Sequence, residues 1–129
     1  MGDSLSVGRQ PIDVLVVEDD RDLRDAMVES LRQENYDTLG AANGDEALGI
    51  LREGRLPRVI FLDLRMPVMD GWEFCRILEE NPTLAEIPIA IVSALREPRR
   101  LPERKRDAGL FQKPVDLDVL LGTARSYCR

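Results

Sequence analysis

Histidine is absent from the chain. That absence excludes a Ser-His-Asp triad, a histidine-ligated zinc site and any role as a histidine phosphodonor. Cysteine is nearly absent too. Cys75 and Cys128 stand far apart with no metal-binding spacing, so two thiols are expected rather than a disulfide framework. No apolar run approaches the roughly 20 residues a bilayer span needs. The first ten residues, Met1 to Gln10, lack the basic start and apolar centre of a secretion signal. Aromatic residues make up only 5% of the chain, and a net charge of -6 argues against general nucleic-acid binding.

What is present fits one globular domain. The 129 residues are 43% hydrophobic and 33% charged, enough to bury a sizeable core. We expect residues 1–11 to form a flexible tail, residues 12–129 to form the domain, and the protein to be cytoplasmic. The acidic average hides one basic stretch. Arg96, Arg99, Arg100, Arg104, Lys105 and Arg106 stand against Glu97 and Glu103 alone. This run is expected as a solvated loop, with an acidic protein partner as the alternative. Nucleic acid is disfavoured because no aromatic residue is interleaved to stack on bases.

Short β-branched runs alternate with helical patterns. Ile12–Val17 predicts a first strand, followed by a helix capped at Asp20 and running to about Gln33, with Leu23, Met27, Val28 and Leu31 on one face. Tyr36–Ala41 predicts a second strand. A helix then starts at Asn43-Gly44-Asp45, carries Ala47, Leu48 and Leu51, and stops near Gly54. Val59–Leu62 is the third strand, Gly71–Glu80 a helix, and Ile87–Val92 the fourth strand, with Pro88 near its start where a missing donor is tolerated. Leu110–Gln112 is the fifth strand and Asp116–Tyr127 the closing helix. Residues 94–109 hold two prolines and little periodicity, so any helix there would be short, over Glu103–Ala108.

This alternation predicts an α/β fold: a doubly wound, five-stranded parallel sheet in the flavodoxin-like order 2-1-3-4-5, with helices on both faces. Four apolar runs end on polar residues. They are Glu18-Asp19-Asp20, Asp63, Ser93 and Lys113. A parallel sheet of this order brings its strand ends to one edge, with Asp19 and Asp63 at the switch point. Carboxylates about 4 Å apart repel by roughly 4 kcal/mol per pair at an effective dielectric near 20. A cluster of hard oxygens that relieves this with a cation prefers Mg²⁺. A carboxylate nucleophile, metal-binding acids, a hydroxyl and a fixed cation suit phosphoryl transfer to aspartate.

At these residues the chain resembles a response regulator receiver domain of two-component signalling, from about Ile12 to Tyr127. The motifs are Val17-Glu18-Asp19-Asp20, Asp63 with Met66-Pro67 and Asp70-Gly71, Ser93-Ala94, and Lys113-Pro114. The resemblance implies that Asp63 is the phosphoacceptor. It implies Mg²⁺ held by Glu18, Asp19, Asp63 and the backbone carbonyl of Arg65. Ser93 corresponds to the switch hydroxyl, Ala94 to its small neighbour, and Lys113 to the conserved-type lysine, with a cis bond to Pro114. Asp20 is read as a helix cap rather than a ligand, Met66 and Met69 as packing residues, and Trp72 as a half-buried anchor.

Two departures stand out. Leu110 occupies the place where receivers carry an inward-turning Tyr or Phe, and residues 93–113 are about two residues short. The family tunes loss of its phosphoryl group at the positions of Arg65 and Leu95, and an apolar Leu95 implies a long-lived phosphorylated state. The chain stops one helix after Lys113, which leads us to expect a stand-alone receiver. The expected partners are a sensor histidine kinase or phosphotransfer protein and an output protein, with no attached DNA-binding domain, no membrane contact, and a monomer or weak dimer. The alternative is a receiver-fold binding module that works without phosphorylation. A small-substrate aspartyl-phosphate phosphatase is disfavoured because its Asp-x-Asp-x-Thr motif is missing. A nucleotide-binding domain is disfavoured because acids, not a glycine-rich loop, follow the first strand.

Overall fold

The computed structural model describes residues 10–94 and 97–128. The first nine residues of the expected tail, together with Leu95 and Arg96, lie outside the described residues. In chain order the elements are β1 (Val14–Val17), α1 (Arg21–Gln33), β2 (Thr38–Ala41), α2 (Gly44–Arg52), β3 (Val59–Asp63), α3 (Gly71–Glu79), a 3₁₀ turn at Leu84–Glu86, β4 (Ile89–Ser93), β5 (Asp107–Gln112) and α4 (Leu117–Tyr127). All strand pairings are parallel and the order is β2-β1-β3-β4-β5, as predicted.

The central strands are apolar on both faces because helices cover both. Leu15, Val17, Ile60, Leu62, Ile89 and Ile91 face α2 and α3, meeting Leu48, Leu51, Phe74 and Leu78. Val14, Val16, Val59, Phe61, Ala90 and Val92 face the opposite way, onto Met27, Val28 and Leu31 of α1 and Leu120 and Ala124 of α4. Each large side chain withdrawn from water in this way contributes about 1.5–3 kcal/mol. The two-residue alternation within each strand decides which layer it serves.

Each helix starts from an Asx cap close behind a strand. Asp20 accepts from the Leu23 N–H at 3.2 Å, and Asn43 from Glu46 at 2.9 Å. Asp70 accepts from Glu73 at 2.9 Å, and Asp116 from Asp118 at 2.9 Å. These side chains satisfy N–H groups that the first helical turn leaves open. Asp20 is thus a cap, as read from the sequence. Gly71 has a separate reason to be glycine. A Cβ there would lie 2.7 Å from the Asp63 carbonyl oxygen and 2.9 Å from Leu64 Cα, so only glycine lets α3 start against the end of β3.

The β4–β5 connection corrects the expected short helix over Glu103–Ala108. No helix forms among the described residues 97–106, and β5 begins at Asp107, three residues before the predicted strand. Pro98 and Pro102 remove N–H donors from this stretch, and Arg104 then ties it to the sheet in extended form. The Arg104 side chain is only 7% exposed and pairs with Asp107 at 2.5 Å. It also donates to the carbonyls of Ile89 at 3.2 Å and Pro102 at 3.1 Å. Gly109, at φ 117°, takes up the register shift by which Ile89 pairs with Asp107 but Ala90 with Gly109.

The basic run is therefore not simply a solvated loop. Arg104 is a structural residue, Lys105 and Arg106 both pair with Glu86, and Arg99 lies over the Trp72 ring at 4.3 Å. Replacing Arg104 with methionine, which keeps the length but leaves three acceptors without their donor, should lower the unfolding free energy by about 2–3 kcal/mol. Urea denaturation measures this, and a loss below about 0.5 kcal/mol would show that the guanidinium holds nothing.

Candidate functional site

Parallel pairing places the ends of four strands side by side. Val17 of β1 stands opposite Leu62 of β3, so Glu18 and Asp63 come next to each other. Asp63 in turn faces Val92 of β4, and Ser93 faces Gln112 of β5, bringing Ser93 and Lys113 to the same edge. Glu18, Asp63 and Ser93 are buried, whereas Asp19 is exposed. The carboxylates of Glu18, Asp19 and Asp63 each offer an oxygen within 4.8 Å of the others.

Among the described residues, Lys113 is the one cation paired with these carboxylates. Its Nζ lies 3.1 Å from Glu18 Oε1, 3.3 Å from Glu18 Oε2 and 3.4 Å from Asp63 Oδ1. The bond from Lys113 to Pro114 is cis, as the resemblance implied. Burial works against the lysine charge, but the carboxylates of Asp63 and Glu18 outweigh it and hold the group above its ordinary pKa. Asp63 moves the other way for an acid. Burial, a hydrogen bond with Asp19 and the Glu18 charge push it up to about 8, against the pull of Lys113.

Glu18 is held from several sides. Its Oε2 accepts from the Asp20 N–H at 3.1 Å, and its carbonyl accepts from Arg24 Nη1 at 2.8 Å. Its Oε1 is buried with no hydrogen-bond partner, and only the ion-pair contact with Lys113 serves it. A buried carboxylate oxygen without a hydrogen bond, beside two further carboxylates, is what a small divalent cation would complete. The residues present therefore fit Mg²⁺: hard, anionic oxygens from three side chains, one of them open to solvent.

The structure brings Glu18, Asp19 and Asp63 together and pairs Lys113 with Glu18 and Asp63. Ser93 sits at the same edge, its Oγ donating to the Ala94 carbonyl at 3.1 Å. The side chain of Arg65 is engaged elsewhere, in a fork on Glu97 and 5.0 Å from the Trp72 ring centre. Between Arg65 and α3 the loop includes Val68, 83% exposed at φ 69°, a left-handed conformation that costs a β-branched residue about 1–3 kcal/mol. Met66 and Met69 pack against the core under α2 and α3, as expected.

Leu110 is half exposed beside a cavity of about 160 Å³ that Ser93, Glu97, Arg99, Leu101 and Gln112 also line. The neighbouring aromatic, Phe111, faces the opposite layer and meets Phe61 edge-on at 5.7 Å. Sequence spacing did not point to the grouping of Arg65, Trp72, Glu97 and Arg99. Arg65 and Trp72 lie on the β3–α3 loop and the start of α3, and Glu97 and Arg99 on the β4–β5 segment, so no single periodic run joins the four. Leu95, to which the resemblance gave a role in phosphoryl lifetime, lies outside the described residues.

Comparison with known proteins agrees with this layout. A family model described as the response regulator receiver domain matches residues 14–125. Sporulation initiation phosphotransferase F of Bacillus subtilis is 33% identical over 119 residues, covering 88% of this chain and 91% of its own length. Response regulator MprA of Mycobacterium sp. is 35% identical over 126 residues, which is 92% of this chain but 51% of that protein. Among solved structures, the signal receiver domain of a signal transduction histidine kinase from Syntrophus aciditrophicus superimposes with a TM-score of 0.80. It is 32% identical, and the match covers 91% of this chain and 89% of that one. Among the described residues no helix is long and apolar enough to cross a membrane.

The crowding of acids yields a stability prediction. Asp63→Asn keeps the shape of the side chain and removes a carboxyl whose ionisation burial, Asp19 and Glu18 all oppose in the folded state, so the metal-free protein should gain about 1–3 kcal/mol at neutral pH. Thermal unfolding in chelator should show a midpoint several degrees higher than that of the unsubstituted chain. A lower midpoint would mean that Lys113 already compensates the carboxylates fully.

Proposed function

The chain belongs to the response regulator receiver domain family, and on that premise we propose that it accepts a phosphoryl group on Asp63. The donor would be a sensor histidine kinase or a phosphotransfer protein. The observation that carries this reading is the Asp63 carboxylate, buried at the carboxyl edge with Lys113 Nζ 3.4 Å away and two further acids beside it. An Asp63 oxygen forms the new bond to phosphorus as the bond from phosphorus to the donor's imidazole nitrogen breaks. The leaving imidazole takes up a proton.

Each neighbour has a part in that step. Lys113, kept charged by Asp63 and Glu18, pairs with a phosphoryl oxygen and stabilises the charge that accumulates there. The Ser93 hydroxyl can leave the Ala94 carbonyl and donate to another phosphoryl oxygen. Glu18, Asp19, Asp63 and the Arg65 carbonyl would hold Mg²⁺. When bound, that ion supplies positive charge that offsets the carboxylates and screens the incoming phosphoryl group. The residues named here carry out signalling chemistry on the domain itself, and slow hydrolysis of the phosphoaspartate would return it to the starting state.

The output would pass through protein–protein contact. The match over nine-tenths of the length of the sporulation phosphotransferase supports a receiver that works through its own surface. We assign its action to the cytoplasm, where unpaired Cys75 and Cys128 would stay reduced. A second reading, binding without phosphorylation, is favoured by one observation. Leu110 stands half exposed where the described residues of the β4–β5 connection form no helix, so the usual inward switch has no aromatic ring to move.

Two measurements follow. Incubation with acetyl phosphate and Mg²⁺ should add one phosphoryl mass to the protein and none to Asp63→Asn; full labelling of the variant would sink the assignment. Titration of a captured partner with and without beryllofluoride should show tighter binding in its presence, while identical affinities would favour the phosphate-independent module.

A further inference from the structure

Arg65 follows Asp63 by two residues, yet its side chain is held by the segment after β4. Glu97 is the anchor. Its side chain is 7% exposed and both carboxylate oxygens are occupied. Oε2 accepts from Arg65 Nε at 3.1 Å, and Oε1 accepts from Arg65 Nη2 at 2.5 Å and from the Arg99 N–H at 3.2 Å. This two-pronged fork is the geometry in which arginine and a carboxylate bind most strongly. Behind it stands Trp72, whose indole N–H donates to the Arg100 carbonyl at 2.7 Å.

The Trp72 ring has two guanidinium groups near it, Arg65 at 5.0 Å and Arg99 at 4.3 Å. One cation on an aromatic face is favourable, but two close together repel. Glu97 offsets that repulsion by binding the Arg65 guanidinium and the Arg99 backbone at once. Remove its charge, and Arg65 has both a reason to leave and a nearby destination. The cluster of Glu18, Asp19 and Asp63 carries three carboxylates against the single ammonium of Lys113. A long, 61% exposed arginine beginning two residues from Asp63 would be drawn to it.

We propose that Glu97 is a positioning residue for the acidic site. Acting through Arg65, it keeps that guanidinium on Trp72 and out of the Glu18–Asp19–Asp63 cluster, so that the surplus negative charge stays available to a divalent cation. This rests on the reading of the cluster as a cation site. It also gives the β4–β5 segment, whose described residues form no helix, a direct tie to the loop that carries the acceptor.

The test is calorimetric titration with Mg²⁺ alone, since Trp72 fluorescence would respond to the substitutions themselves. Four proteins are compared at low ionic strength: unsubstituted, Glu97→Gln, Arg65→Ala and the double variant. A freed unit charge near the cluster should weaken Mg²⁺ binding in Glu97→Gln about three- to tenfold. That loss should shrink as salt is added. Arg65→Ala and the double variant should bind alike, because without the guanidinium Glu97 has nothing to hold away. In metal-free protein, Glu97→Gln should also shift the Trp72 emission as Arg65 leaves the ring.

Unchanged Mg²⁺ affinity in Glu97→Gln would overturn the proposal. So would an equal loss in the Arg65→Ala background, which would mean that Glu97 acts through the fold alone. If the unsubstituted chain binds no Mg²⁺, the reading of the cluster fails and this inference fails with it. Binding that is intact in the unsubstituted chain but indifferent to Glu97 sinks the inference only.

Discussion

The structure turns on three carboxylates gathered at one sheet edge with a single ammonium between them. Asp63 comes within 4.8 Å of the adjacent pair Glu18 and Asp19 because β1 and β3 are neighbours in register, although it is far from them in sequence. Such an arrangement destabilises the folded chain by itself. It persists because β1 and β3 are buried on both faces and cannot slide apart without exposing Val16, Val17, Phe61 and Leu62. The core layers impose a charge conflict, and a cation placed at this edge would relieve it.

Lys113 shows how closely the balance is set. Its ammonium reaches both Glu18 and Asp63, yet one oxygen of Glu18 stays without a hydrogen bond and Asp63 still has its pKa raised to about 8. One lysine is too little for three acids. Ser93 waits at the same edge, bonded only to the carbonyl of its neighbour. Asp63, Ser93 and Lys113 come from the ends of three neighbouring strands, so the pairing of one sheet fixes their relative positions.

The β4–β5 connection is where this chain goes its own way. Other strand-to-strand crossovers carry a helix, whereas this one, in its described residues, runs extended and is tied down by charge and aromatic contacts. Arg104 bridges it to β4, Glu86 pairs with Lys105 and Arg106, and Trp72 receives Arg99 and Arg65. These side chains replace an apolar helix face. They also leave Leu110 half exposed, so the surface beside Ser93 is both apolar and rimmed with arginine.

Most of the layout was legible in the chain itself. The apolar runs at 14–17, 59–62 and 89–92 announced buried parallel strands, and the polar residue ending each one announced a shared edge. Asp20, Asn43 and Asp116 marked helix starts through local bonding that needs no tertiary partner. Asp107–Gly109 of β5 was not legible, because a charged, glycine-containing edge strand has neither alternation nor an apolar run. Nor was the fate of the basic residues, since a sequence pattern cannot say which arginine finds a buried carbonyl. The sequence by itself determined the strand order, the caps and the identities of the acids, lysine and hydroxyl, because these depend on periodicity and on side-chain chemistry near in the chain. Only the tertiary structure decided that the Arg104 side chain is withdrawn from water, that Glu97 grips Arg65 against Trp72 and that the described residues of the β4–β5 segment run without a helix. Those contacts join residues far apart in sequence, and their strength comes from the partners they meet there.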